Sequence, residues 1–300
     1  MNFSPIALFV YNRPEHTKKT LKHLKKNDLV KKSHLYVFSD GPKTEKDIPK
    51  VNEVRQLVNK INGFKTVTVI ERKSNWGLAK SIIEGVTQII NLHERVIVLE
   101  DDIVTASNFL DFMNTNLEYY QDKRTVACIS GYVYPIEDLS DTFFLRGADC
   151  WGWGTWKRAW DFFVSDGNIL IDRLRENKLI RSFDFNNSIA YFKMLKDQVK
   201  GKNDSWAVRW YASAFTEEMY CLYPGKSYVI NIGMDGSGTH CSISEDYKVN
   251  LNSNSHFEKM EIIQEDLIAR KKFEYFFKRI KQNIFRKLYK LIKSYFEGNN

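Results

Sequence analysis

The stretch Val96-Ile97-Val98-Leu99-Glu100-Asp101-Asp102 limits what this chain can fold into more than any other. Four consecutive apolar residues, three of them β-branched, predict a strand buried on both faces, the habit of a parallel sheet covered by helices. Three carboxylates at its end are costly to hold together, because adjacent negative charges repel and desolvation raises that cost. A divalent cation would resolve the conflict, and oxygen-only ligands favour Mg²⁺ or Mn²⁺ bridging carboxylates to substrate phosphates. The bland alternative is that the acids open the next helix, with Asp102 favouring its dipole. Ser107 is a better N-cap for a helix over Ser107–Tyr120, which leaves the acids without a structural task.

The surrounding residues supply the rest of such a sheet. Through the first 130 residues, short β-branched or aromatic runs alternate with helical patterns, the signature of βαβ units. Strands are expected at Ile6–Tyr11, Leu35–Ser39, Thr66–Glu71 and Val96–Leu99. Helices are expected from Pro14, around Val51–Ile61 and over Leu78–Leu92, where apolar residues recur every three or four positions. Ligands bind at the carboxyl ends of strands in open α/β sheets, which is where the three acids stand. With 43% apolar and 14% aromatic residues over 300 positions, the chain can bury a full core, as one large domain or two small ones.

Beyond Gly131 the pattern changes. Aromatic residues crowd without a clean period, notably in Cys150-Trp151-Gly152-Trp153-Gly154-Thr155-Trp156, which predicts loops and an added layer. A helix over Ser205–Glu218 and a short strand over Tyr228–Ile232 are expected next. Asn250 to Ser255 is polar enough for a linker.

Charge is distributed unevenly. Residues 270–300 carry ten basic and two acidic side chains, so the whole formal +8 sits there and residues 1–269 hold 35 of each sign. A neutral body argues against a nucleic-acid-binding domain, which would spread Lys and Arg over a folded face. The four cysteines show no metal or redox spacing, and a reduced compartment fits them. Met1 to Val10 has no basic leader and reads as a first strand, not a signal peptide, and no run is long enough to span a bilayer.

Four short motifs in order carry a resemblance: Tyr11-Asn12-Arg13-Pro14 after the first strand, Ser39-Asp40-Gly41 after the second, Asn75-Trp76-Gly77-Leu78 opening a helix, and Leu99-Glu100-Asp101-Asp102. Together they resemble nucleotide-sugar glycosyltransferases of the glycosyltransferase-A fold, a Rossmann-like, mainly parallel sheet flanked by helices. The Glu-Asp-Asp form and later segments are similar to the N-acetylglucosaminyltransferase I family and its bacterial relatives, over roughly residues 5–241. The resemblance implies Asp102 as the direct Mn²⁺ ligand, Glu100 and Asp101 supporting the metal and the donor ribose, Asp40 near the uracil, Arg13 near the nucleotide and Asn75 beside it. On the residues alone, Arg13 is equally a solvated loop charge and Asp40 a turn residue before Gly41-Pro42.

An inverting transfer also needs a carboxylate that takes the acceptor's proton. Asn203-Asp204-Ser205-Trp206, with Arg209, is similar to the family segment that holds the base, and Asp204 is its only acid; the alternative is an N-cap on the following helix. One of Trp151, Trp153 and Trp156 is expected at the donor, Trp153 foremost, with the others packed. His240, after Gly236-Ser237-Gly238-Thr239, matches a family Ser-His-Gly loop only loosely, and a lone loop histidine is more often exposed.

Phe273, Phe276, Phe277, Ile280, Ile284, Leu288, Leu291, Ile292 and Tyr295 mark an amphipathic basic helix that lies on an anionic membrane surface, docks on the body or pairs with another subunit. The expectation is one transferase domain over residues 1–250, with a nucleotide-sugar-binding half to 130 and an acceptor-binding half after it, then a linker and basic helix over 251–300. It would be cytoplasmic and peripheral on the inner face of the membrane. A UDP-sugar would be its donor and a glycan, such as a lipid-linked lipopolysaccharide or capsule precursor, its acceptor. A sugar nucleotidylyltransferase is the enzymatic rival, weakened because no glycine follows the first strand; a non-catalytic membrane scaffold is the other.

Overall fold

The structure, a computed structural model, describes residues 3–236, 245–252 and 258–297, with residues 283–297 as backbone alone. In chain order the elements are β1 (Ile6–Val10), α1 (Pro14–Leu24), β2 (His34–Ser39), α2 (Ile48–Val58), β3 (Thr66–Glu71), α3 (Leu78–His93), β4 (Arg95–Glu100), β5 (Ile103–Thr105), α4 (Phe109–Tyr119) and β6 (Val126–Ser130). They continue as β7 (Thr142–Arg146), β8 (Trp153–Trp156), α5 (Lys157–Trp160), α6 (Gly167–Glu176), α7 (Ile180–Phe183), α8 (Tyr191–Val199), α9 (Trp206–Thr216), β9 (Tyr220–Pro224), β10 (Val229–Asn231) and α10 (Leu267–Glu297).

Eight strands form one sheet in the order β3-β2-β1-β4-β8-β6-β9-β7, and β10 pairs with β5 in a separate ribbon. β1, β2, β3 and β4 are mutually parallel. β8 is antiparallel to both β4 and β6, β9 is parallel to β6, and β7 runs against β9. The sheet is therefore mainly parallel and flanked by helices, as the alternating pattern predicts. From β1 the chain proceeds outward through β2 to β3, then returns to place β4 on β1's other side. That reversal opens a crevice at the carboxyl ends of β1 and β4, the place where open α/β sheets bind ligands.

Strand residues alternate between two cores. Ala7, Phe9, Val96 and Val98 face α3 residues such as Ile82 and Val86. Ile6, Leu8, Val10, Ile97 and Leu99 face Leu21 and Leu24 of α1 and Phe109 and Met113 of α4. Burial on both faces is why these strands are apolar throughout.

Two expectations are corrected here. The aromatic segment after residue 150 is not a loop layer: β8 is a central strand between β4 and β6, with Trp153 in one core and Trp156 in the other. Its tryptophans are three residues apart, and glycine at 154 leaves too few side chains for an alternation to show. The added layer does exist, as α5 to α9. The second correction concerns Ser107. The chain stays extended through Thr105, paired with β10, so α4 begins later, with Asn108 at its N-cap position.

α10 begins as part of the body. Phe273, Phe276, Phe277 and Ile280, spaced along one face, are at most 6% exposed, and the three phenylalanines meet the rings of Tyr134, Phe143, Phe185 and Tyr223. Arg270 bridges Glu265 at 2.8 Å and Glu274 at 3.4 Å, and Asp266 Oδ1 accepts the amides of Ile268 and Ala269 at 2.9 Å, capping the helix. The segment before it is laced to the sheet edge: Thr142 Oγ1 donates to Glu258 O, Tyr120 Oη to Met260 O, and Asp266 N to Phe144 O. Residues 258–280 therefore belong to the core and not to a separable linker and tail. Among the described residues no helix is long and apolar enough to cross a membrane.

Ending the chain after residue 282 should preserve cooperative thermal unfolding. Ending it after Asp266 removes three buried phenylalanines, each worth about 3–5 kcal/mol, and should abolish the transition by calorimetry. A 266-residue chain that melts like the full chain would refute the assignment of α10 to the core.

Candidate active site

At the crevice, β1 delivers Arg13 and β4 delivers the acids. Arg13 stands at the N-cap position of α1 without capping it by its side chain, so the guanidinium is free to cross to β4. Nη2 lies 2.8 Å from Asp102 Oδ2 and 3.7 Å from Asp101 Oδ1. Thr17 Oγ1 donates to Arg13 O at 2.9 Å and Thr20 Oγ1 to Asp101 O at 2.8 Å, tying both sides to α1. Arg13 is thus no loosely solvated loop charge.

The electrostatics are strained. Burial, then Asp102 and Asp101, pushes Glu100 well above the usual carboxylate range, and burial followed by Asp102 raises Asp101 to about 7. Burial alone would lower Arg13, but Asp101, Asp102 and Asp235 outweigh it and hold the guanidinium charged. Three acids against one arginine leave a negative excess. Among the described residues Nε of Arg13 is buried without a hydrogen-bond partner, so the guanidinium retains a donor that they do not use.

A third segment closes over this group. Ile232 N donates to Asp102 O at 2.9 Å, and a Cβ at Gly233 would collide with Asp102 Oδ2 and crowd Arg13 Nη2, so only glycine lets the backbone pass so close. Asp235 then pairs with His16 Nε2 at 3.1 Å. The sequence shows a Gly-rich stretch here but not that it returns to the acids.

Asp40, at the end of β2, has a task other than a turn. Its Oδ1 accepts Gly41 N and Trp76 N at 2.9 Å, and its Oδ2 accepts Gly77 N at 2.9 Å and Asn75 Nδ2 at 3.1 Å. Asn75 Nδ2 also donates to Gly41 O at 2.8 Å. The carboxylate and the amide together pin the 75–77 loop to the crevice wall. Trp76 stands exposed on that loop, with the Arg72 guanidinium 3.5 Å and the Lys80 ammonium 4.5 Å from its ring centre.

The remaining expected residues are placed differently. Trp153 is corrected: it is fully buried, 5.5 Å from the Trp206 ring and 6.0 Å from Trp210, and presents no face to a ligand because β8 is central. Asp204 is not the cap of α9; Ser205 is, accepting Val208 N at 3.2 Å. The Asp204 side chain is 68% exposed, 3.4 Å from Arg209 Nη2. It lies two residues before Trp206, which stacks on Trp153, itself paired with Val98 two residues before Glu100. His240 lies outside the described residues.

Asp149 was not singled out from sequence. It is the lone acid between β7 and β8, and its Oδ1 accepts Cys150 N at 2.6 Å and Trp151 N at 3.4 Å. Burial raises its pKa.

Among the described residues no three His, Cys, Asp or Glu side chains already form a metal cage. The donor set nonetheless suits a cation whose remaining ligands come from a substrate. Its chemistry is all oxygen, its acids are destabilised by one another, and an arginine stands ready for an anion.

No family model matches the chain, and no curated protein does. It is similar in part to a solved mannosyltransferase, PcManGT from Pyrobaculum calidifontis in complex with GDP-Man and Mn²⁺. Identity is 16% over 43% of this chain and 35% of that one, with a TM-score of 0.30. It is also similar to S. aureus TarS, with 17% identity over 46% of this chain and 24% of that one and a TM-score of 0.32. The chain spans about a third and a quarter of their respective lengths.

Asp40→Ala strips acceptors from three backbone amides, and the urea midpoint should report a loss of about 2 kcal/mol. Asp40→Asn, which keeps one oxygen, should lose less. Unchanged stability in the alanine variant would show that the loop is held by other contacts.

Proposed function

We propose that the protein is a metal-dependent, inverting glycosyltransferase of the glycosyltransferase-A type, which moves a hexose or N-acetylhexosamine from a UDP-sugar to a glycan. The observation that carries this reading is the meeting of Arg13 with Glu100, Asp101 and Asp102 at the strand-order reversal. A diphosphate leaving group needs cationic partners, and among the described residues the crevice offers one arginine with an unused buried donor and an excess of carboxylates. Asp102 would hold Mn²⁺ or Mg²⁺, with Glu100 and Asp101 supporting it. The cation, when bound, offsets the charge that develops on the diphosphate. The motif order from Arg13 to Asp102 allies the chain with the N-acetylglucosaminyltransferase I family.

The chain's own residues divide the remaining work. Arg13 would donate to the diphosphate in exchange for part of its contact with Asp102. Asp40 and Asn75 would hold the Trp76 loop as the wall beside the uracil, their polar atoms being engaged with that loop. Asp204, exposed at the start of α9, would take the proton from the acceptor hydroxyl as that oxygen attacks the anomeric carbon. The basic stretch of α10 beyond the docked face would hold the enzyme on an anionic membrane surface, where a lipid-linked polysaccharide precursor is presented.

UDP release should be measured across a panel of UDP-sugars with Mn²⁺ and with EDTA. Asp102→Ala should lose at least about 100-fold of the metal-dependent rate, and Asp204→Asn should spare donor binding while crippling transfer. Equal turnover with EDTA, or in Asp102→Ala, would overturn the metal-dependent reading. Chains ending at residue 282 should lose sedimentation with phosphatidylglycerol vesicles; retained binding would remove the membrane role of the helix.

A further inference from the structure

The lysines of α1 and of the chain around it have no part in the crevice. Residues 14–33 hold seven lysines against Glu15 and Asp28, and residues 59–65 add Lys60 and Lys65 with no acid; all nine lysines are exposed. The rest of residues 1–269 then carries 26 bases against 33 acids, so the neutrality of the body is an average over regions of opposite sign.

Local structure makes one surface of these lysines. Thr17, Thr20, Leu21 and Leu24 turn one side of α1 into the protein. That leaves Lys18, Lys22 and Lys25 spaced by four and three residues along the outer side, with Lys19 and Lys26 beside them. Lys25 Nζ donates to Asn62 Oδ1 at 2.9 Å and Lys65 N to Ser33 O at 3.0 Å, which sets the 59–65 loop against the end of the row. α1 begins one residue after Arg13, and at about 1.5 Å per residue the row runs from about 6 Å past the helix start at Lys18 to about 16 Å at Lys25. It is a basic track that leads from the rim of the crevice along the outside of the molecule.

The track is not neutralised from within. Among the described residues the lysines that pair with an acid are Lys157, Lys193 and Lys248, all elsewhere. Burial first, then Lys26 and Lys22, lowers the His23 pKa against an opposing bond to Thr105, the mark of an uncompensated positive field. Like charges at helical spacing repel, and a polyanion laid along them would remove that repulsion.

The chemistry of the row narrows the partner. It has no arginine, the side chain that grips a base edge or a phosphate with two bonds, and no exposed ring on which a base could stack. It exposes no large apolar side chain to enter a bilayer, and α10 docks on the opposite face of the sheet from α1. Lysine ammonium groups are hydrated point charges on flexible stems, suited to a chain that is charged in every repeat and shifts past them. A glycan with a phosphate or a carboxylate in its repeats has that chemistry.

We infer that the lysine face of α1 and the 59–65 loop holds a polyanionic glycan, bearing a phosphate or a carboxylate in its repeats, and leads the end of that chain to the crevice. The inference rests on the glycosyltransferase reading for the chain's role as acceptor; its binding is judged without transfer.

The test is biolayer interferometry of the full-length protein over immobilised polygalacturonate and poly(glycerol phosphate), against neutral dextran, at about 50 and about 200 mM NaCl. At least one anionic polymer should bind at the lower salt and weaken at least about tenfold at the higher, with no binding to dextran. Comparing the two polymers says whether carboxylate or phosphate is the charge held. K18Q/K22Q/K25Q/K26Q, all at exposed positions, should weaken that polymer by at least about tenfold with UDP binding unchanged. Glutamine at Lys123, Lys193, Lys226 and Lys248, exposed elsewhere, removes the same charge and should cost less than about threefold. Equal losses in the two quadruple variants, unaltered binding in the first, or no preference for the anionic polymers over dextran in the wild type would overturn the inference. Tighter binding of duplex DNA than of either polymer would overturn it too, as would loss of sedimentation with phosphatidylglycerol vesicles in the α1 variant. Polymer binding that persists while UDP fails to bind would leave the surface standing and refute the donor reading.

Discussion

The contact between Arg13 and the carboxylates of Asp101 and Asp102 is what the strand-end crevice of this protein depends on. Three acids at the end of a buried strand are unstable unless positive charge is near, and among the described residues the arginine that reaches them follows the neighbouring parallel strand. Burial first, and the neighbouring carboxylates after it, raise Glu100 and Asp101 by more than the Arg13 guanidinium lowers them. The site is thus built short of positive charge. Gly233, passing where no side chain fits, encloses the pair and keeps solvent from screening it.

That contact exists only because of the sheet. Parallel β1 and β4 release their carboxyl ends side by side, and the order reversal keeps a helix from filling the gap between them. The antiparallel β8 then brings a third chain segment to the same edge, carrying Asp149 and Trp151. Helix α10 ties this arrangement to the chain's far end, since its phenylalanines support Tyr134 from behind. The feature that reads as a membrane tail is, over its first half, a wall of the body.

Much of the first half was legible in the residues. Apolar runs such as Ile6–Val10 and Val96–Leu99 can lie only between two helical layers, and the acids after Leu99 mark the ligand-binding end. The second half was less so. Gly154 and the three-residue spacing of Trp153 and Trp156 hide a central strand, because a strand flanked on both sides needs no alternation of polar and apolar side chains. Asp40 illustrates a different limit: its residue type and its turn-like neighbours are visible, but the amides of Trp76 and Gly77 that it holds are some 36 residues away. Asp204 and Ser205 are adjacent candidates for one capping role, and only backbone geometry assigns it to Ser205.

By itself, then, the sequence determined the alternation of strands and helices, the buried character of β4 and the presence of an acidic cluster at its end, since these depend on hydropathy and repulsion between neighbours along the chain. Tertiary structure decided which partner met those acids, that Trp153 is core, that Asp149 stands beside the site and that α10 belongs to the body. Each of these is a contact between residues far apart in the chain, set by strand order and by which face of an element is covered, and neither quantity is written in any local stretch of residues.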